Sequence, residues 1–258
     1  MNILNSFQSE WLKKRKSMAA TLVVVGALFS PLMYLIRLLR EYEKLPALYT
    51  REQFWITTWN VSWQSMNMLL LPIGIILAVG FVMQIEYNNN AWKQLHSTPQ
   101  SYATIYFSKF AVLLVMTIQV FVLFNLAVYV VTVIPSVIFG SVPYPTAEMP
   151  VGKFLTGNLN YFLHCLPILS LQYLLGFQFR NFLIPLGAGF SVWLVGVISM
   201  SWKHSYVFPY LHGGLDIMRE MSKSSPPLPI GLNALSLIYF AVFIIAGFVL
   251  YVMKAEKG

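Results

Sequence analysis

The sequence is poor in charge. Of its 258 residues 10% are Asp, Glu, Lys or Arg and 57% are hydrophobic. A soluble domain carries about 25% charged residues, so this composition excludes an ordinary soluble fold and points to a polytopic membrane protein. Cysteine is nearly absent. Cys165 stands alone inside an apolar run, so no disulfide framework can form within the chain. There is no G-x-x-x-x-G-K-[ST] and no H-E-x-x-H, so the chain does not bind ATP as a P-loop protein does and has no zinc-protease helix. His204 and His212 lie in a polar stretch without Cys or carboxylate at ligand spacing, which argues against a metal site. Asp and Glu are missing from every long apolar run. Proton-driven pumps need an ionisable relay inside the membrane, so the energy for any transport is expected to come from elsewhere. Two further classes lack their marks. A membrane-embedded lipid-modifying enzyme needs convergent carboxylates, histidines or metal ligands. An ion-coupled secondary transporter needs inverted repeats or matching broken helices.

What the sequence does have is length of apolar run. Six segments suit membrane-spanning helices: 18–36, 65–83, 111–134, 161–176, 182–200 and 232–253. Backbone groups in lipid must bond within their own segment, so each span is read as a helix and the whole as one all-α transmembrane domain over 1–258. The first run follows Lys13, Lys14, Arg15 and Lys16 but has no small-residue cleavage site after it, and it is read as a retained span. The polar content of the spans (Asn67, Gln119, Asn125, His164, Gln172 and Asn233) reads as interhelical glue.

The net charge of +8 bears on orientation rather than on nucleic acid, because basic residues sit beside apolar runs. With the N-terminus inside, nine of the basic residues face the cytoplasm and eight the exterior. The block at 13–16 decides this near tie, and both termini are then cytoplasmic, in a cell inner (cytoplasmic) membrane. Ahead of that block, Ile3, Phe7 and Trp11 recur at helical spacing, and 1–16 reads as an in-plane interfacial helix. In the outer stretch 201–230, Gly213-Gly214 and Pro226-Pro227 are read as breaks, with LDIMREMSK making two helical turns between them.

Two clusters carry functional expectations. Trp55, Trp59 and Trp63 recur at i, i+4, i+8 before the second span. One reading is an aromatic belt at the membrane surface, where Trp is enriched. The other is a wall facing an amphipathic substrate. The second cluster lies in QIEYNNNAWKQLHSTPQSYATIYFSKF, residues 84–110. Trp92 and Leu95 share a helical face, Pro99 stops that helix, and Lys109 is placed to snorkel to the surface. A short helix over 86–100 presenting Trp and Leu to the cytosol suits a groove on a partner; the alternative is a headgroup anchor.

Glu86, Trp92-Lys93, Leu95, Pro99 and Lys109 resemble the E…W-K-x-L…P…K segment between the second and third spans of ABC-2-type transporter permeases, nearest the lantibiotic-immunity and multidrug branch. Asn89-Asn90-Ala91 stands where many members have Gly-Thr. The resemblance implies a type V exporter-like fold, a second permease subunit in a homo- or heterodimer, and separate cytosolic P-loop ATPase subunits holding ATP and Mg. It makes 86–100 the coupling helix, with Glu86 at the helix N-terminus, where the dipole favours a carboxylate. It also implies export of an amphipathic compound such as an antimicrobial peptide, a drug or a lipid.

Overall fold

In the computed structural model the described residues are 3–15, 17–88, 100–222 and 228–255, and among them no strand occurs. The elements follow the apolar runs. A short helix α1 (Ile3–Arg15) leads into α2 (Met18–Arg40) and a small α3 (Leu45–Tyr49). Then α4 (Phe54–Ser65), a π turn (Met66–Leu70) and α5 (Leu71–Asn88) form one helical path. They are followed by α6 (Tyr102–Ile138), α7 (Val151–Gln178), α8 (Leu183–Ile198), α9 (His212–Met221) and α10 (Leu232–Ala255). The long helices alternate in direction. Tyr106, Phe177 and Tyr251 meet at one end, whereas Trp55 meets Tyr129 and the Ala147 carbonyl at the other.

Among the described residues four helical stretches are long and apolar enough to cross a membrane: Met18–Arg40, Phe54–Ile85, Tyr102–Ile138 and Leu232–Lys254. Leu183–Ile198 is a shorter apolar helix. Helix α7 has the length, at 28 residues, but Lys153, Thr156, Asn158 and Asn160 make its first half polar. It runs through the middle of the bundle, packed on α5 and α10. Helix α6 is 37 residues long, or about 55 Å, and so outreaches a hydrocarbon core of about 30 Å.

Polar groups in this bundle are spent on interhelical contacts. Tyr173 Oη donates to the Tyr106 carbonyl at 2.6 Å, and Tyr106 Oη to the Ile244 carbonyl at 3.1 Å. Asn125 Nδ2 donates to Asn158 Oδ1 at 2.8 Å, and Gln172 Nε2 to Tyr210 Oη at 2.7 Å. Between helices in lipid there is little hydrophobic drive, so such bonds and close packing set the register. Gly189 leaves room for this, because a Cβ there would collide with the Gln172 side-chain amide. Pro72, four residues on from Met68, has no amide N–H to give the Met68 carbonyl, and Trp193 Nε1 supplies a donor at 2.9 Å.

Two expectations about element ends are corrected. Gly213 and Gly214 do not break a helix; they open α9. They are small because α9 presses on the π turn. A Cβ on Gly213 would meet Asn67 Oδ1 at 3.2 Å, and one on Gly214 would meet Met68 Cγ at 3.3 Å. Glu86 does not start a helix but lies in the last turn of α5, at the end where the dipole disfavours a carboxylate. Its side chain lies outside the described residues.

Candidate functional site: two polar clusters at opposite ends of the bundle

The first cluster surrounds the 86–100 segment. Trp92, Lys93, Leu95 and Pro99 lie outside the described residues. The flanks of the segment are described, and both are tied down. On the α5 side Tyr87 Oη donates to the Gly176 carbonyl at 3.1 Å. On the α6 side Ser101 caps the helix, its Oγ accepting from the Thr104 amide at 3.2 Å. Helix α1 then packs lengthwise along the start of α6. Ser6 Oγ reaches Gln100 Oε1 at 3.3 Å and shares a hydrogen bond with Ser108 Oγ at 2.9 Å. Glu10 pairs with Lys109, and Lys14 Nζ donates to Gln119 Oε1 at 3.1 Å. These contacts ascend together in both helices, so α1 and α6 run in the same direction.

Lys109 therefore does not snorkel. Its side chain is 1% exposed, enclosed beneath α1, and Glu10 also holds Lys13 at 2.7 Å. The stripe of α1 that turns inward is Ser6, Glu10 and Lys14, at i, i+4, i+8. Phe7 and Trp11 stack on each other and flank the core, while Ile3, Leu4 and Leu12 are exposed. Burial pushes the Lys14 pKa down, and its ammonium sits 4.1 Å over the Trp11 ring. A helix packed beside lipid offers its polar face to protein. Sequence spacing shows the two faces of α1 but not which of them the protein takes.

At the other end the three tryptophans are interior. Trp55 Nε1 donates to the Ala147 carbonyl at 3.0 Å, and its ring stacks on Tyr129. Trp59 lies flat on Phe154 with ring centroids 4.2 Å apart. Trp63 is fully buried among Phe121, Phe124 and Tyr161. The buried positions of these rings do not make an aromatic belt at the surface. They are the first turns of the same helical path as the second span, and the path starts at Phe54 rather than at residue 65.

An edge of Trp59 does reach a pocket of about 560 Å³ between α4, α7 and α9. Lys153 and Glu220 pair across its rim at 2.8 Å, and Asp216, Arg219 and Tyr161 line it. Beneath Asp216, at 3.9 Å, lies the buried His164. His212 packs edge-on to His164; it shares a bond with Ser236 Oγ at 2.7 Å and another with the Tyr206 carbonyl at 2.8 Å. Desolvation, then the neighbouring Glu220 charge, push the Asp216 pKa up to about 6, against the opposing pull of Arg219. Desolvation pushes His212 down to about 4. His204 stays apart, stacked edge-on against Trp202. Among the described residues no three of His, Cys, Asp and Glu come close enough to hold a metal ion. Sequence reasoning passed over this pocket because Lys153 and the Asp216–Glu220 pair lie far apart along the chain, within no local motif.

An all-helical bundle with four such apolar helices, glued by amide and tyrosine contacts, is a multi-pass membrane protein. The chain belongs to the ABC-2 transporter family: residues 6–209 match the family described as "ABC-2 family transporter protein". It is a permease of the ABC transporter class rather than an enzyme. Comparison with curated proteins and with solved structures finds no match.

Proposed function

We propose that this chain is the membrane-spanning subunit of an ATP-driven exporter, of the type V-like six-span design. It would work beside a second permease chain and two separate P-loop ATPase subunits that carry ATP and Mg, in the inner membrane with both termini cytoplasmic. Helix α7, polar at one end, would be the fourth span and α8 the fifth. The substrate class would be an amphipathic peptide, drug or lipid, and the 86–100 helix would be the surface the ATPase pushes.

The observation that supports this most is the anchoring of that segment's flanks. Tyr87 ties α5 to the end of α7, and Ser6, Glu10 and Lys14 tie α1 to the start of α6. A force on the segment would thus reach α5, α6 and α7 together, without loss in a slack linker. Lys109 takes part in coupling from beneath, as a tether rather than as a contact for the ATPase.

The test is the paired substitution Trp92→Ala and Leu95→Ala. Removing a buried interface anchor commonly costs roughly 2 kcal/mol or more, about a thirtyfold loss of affinity. Membrane abundance should stay normal while ATPase co-purification and substrate-stimulated ATP hydrolysis fall. Wild-type assembly and activity in the double variant would sink the assignment.

A further inference from the structure

We propose that the pocket between α4, α7 and α9 binds the zwitterionic headgroup of a phospholipid, an ammonium joined to a phosphate. This is a claim about binding, so it stands or falls apart from ATP-driven transport.

The charges in the pocket balance. Asp216 and Glu220 lie one turn apart on α9, and Lys153 on α7 and Arg219 on α9 supply the opposite sign. An anion or a cation alone would satisfy one half and repel the other. A ligand carrying both charges complements both. The carboxylates, with the Trp59 and Tyr161 rings beside them, make the ammonium end, since aromatic faces attract cations. Lys153 and Arg219 make the phosphate end. The Lys153–Glu220 pair spans the rim with 46% and 32% of its side chains exposed, so water already competes for it and a ligand can exchange with it.

Beneath the pocket lie the His164 ring, 3.9 Å from Asp216, and the Tyr161 hydroxyl, beside Glu220 and the Trp59 indole, so the floor as well as the rim is polar. The volume of about 560 Å³ lies within the roughly 300–1,000 Å³ of small-ligand sites.

The apolar part of the ligand follows from α7. Beside its pocket-lining face runs a second stripe, Val151, Leu155 and Leu159, at i, i+4, i+8 and more than half exposed. An acyl chain leaving the pocket would lie on that stripe and run on toward Phe162. The depth also fits. The pocket uses the first turns of α7 and the α4 half of the 32-residue path Phe54–Ile85, which is longer than a hydrocarbon core of about 30 Å needs, and this would place it at the depth of the lipid headgroups.

Native mass spectrometry of the full chain, purified with its accompanying subunits, tests the claim with three probes: dioctanoyl phosphatidylethanolamine, dioctanoyl phosphatidylglycerol and free phosphoethanolamine. The zwitterionic lipid should be retained about tenfold better than the anionic one, the difference that a single charge-assisted hydrogen bond from its ammonium would make. Gly152→Trp fills the pocket from a position where an added Cβ meets nothing within 4 Å, so the fold should survive while the preference disappears. Glu220→Gln should weaken retention of the zwitterionic lipid toward that of phosphatidylglycerol. Leu159→Gln should lower lipid retention through the stripe alone. Equal retention of both lipids, or an undiminished preference in Gly152→Trp at an unchanged melting temperature, overturns the proposal. Binding of free phosphoethanolamine as tight as that of the lipid overturns the lipid assignment.

Discussion

The two ends of the bundle hold similar charges and treat them in opposite ways. Under α1, Glu10 and Lys109 are sealed together, with Lys13 and Lys14 closing the edges. Under α9, Lys153 and Glu220 pair in reach of water, and Asp216 faces the His164 ring across 3.9 Å. A sealed pair cannot exchange partners, so it fixes the position of one helix against another. An open pair can exchange them. The contrast assigns a holding role to the first end and a receiving role to the second, and it comes from burial, not residue type.

The largest expected effect is at the sealed end. Lys109→Met leaves Glu10 buried with Lys13 as its remaining ion-pair partner among the described residues. Breaking a buried pair in this way costs about 3–5 kcal/mol. The retained Lys13 contact puts the outcome at the lower end of that range. Thermal unfolding of the detergent-solubilised chain measures it. Adding Glu10→Gln to that variant should recover most of the loss, because the unpaired charge is gone. No recovery would mean that packing, not charge, holds α1.

Next in size is the response of the open end to pH. The folded-state pKa of Asp216 is raised from 3.8 to about 6. Its ionised form is the costly one, so its penalty is absent below 3.8 and grows as pH rises through about 6. The folded-state pKa of His212 is lowered from 6.5 to about 4, so its contribution is whole above 6.5 and is lost as pH falls toward 4. The two oppose each other over the same window. Compared with Asp216→Asn, the wild-type chain should lose stability as pH rises from 3.8 to 6. Compared with His212→Asn it should lose stability as pH falls from 6.5 to 4. Differences of the same sign in both comparisons would erase the distinction drawn for this end.

The smallest effect is Lys153→Met. An exposed pair contributes about 0–1 kcal/mol, so the melting temperature should barely move. A loss as large as that of Lys109→Met would show that the rim pair is structural and that the two ends do not differ.

The all-helical class was legible because apolar runs of spanning length admit nothing else in lipid. The helix ends were less so. Helix α6 begins at Tyr102, well before the apolar run at 111, because Ser101 provides a cap whose strength hydropathy does not register. The burial of Trp55, Trp59 and Trp63 was not legible. Their spacing fixes a shared helical side, and only the arrival of Phe121, Phe124, Phe154 and Tyr161 from α6 and α7 makes that side interior. Glu10 and Lys109 are 99 residues apart, and nothing in either neighbourhood announces the other. The family likeness rested on a segment whose middle, Trp92 to Pro99, lies outside the described residues, yet it agrees with the family match over 6–209. The charged pocket was out of reach because Lys153 on α7 meets Asp216, Arg219 and Glu220 on α9 only in the packed bundle.

The π turn at Met66–Leu70 bears on how the gene can change length. Its hydrogen bond closes over five residues instead of four, so the turn takes up one residue more than a regular turn without rotating α4 against α5. An α-helix advances about 100° per residue, so a residue removed from α4 or α5 itself would swing Trp55, Trp59 and Trp63 off their aromatic partners. The turn thus works as slack in the reading of length. A single-codon deletion inside it should be tolerated, whereas the same deletion a turn away should undo half of the bundle.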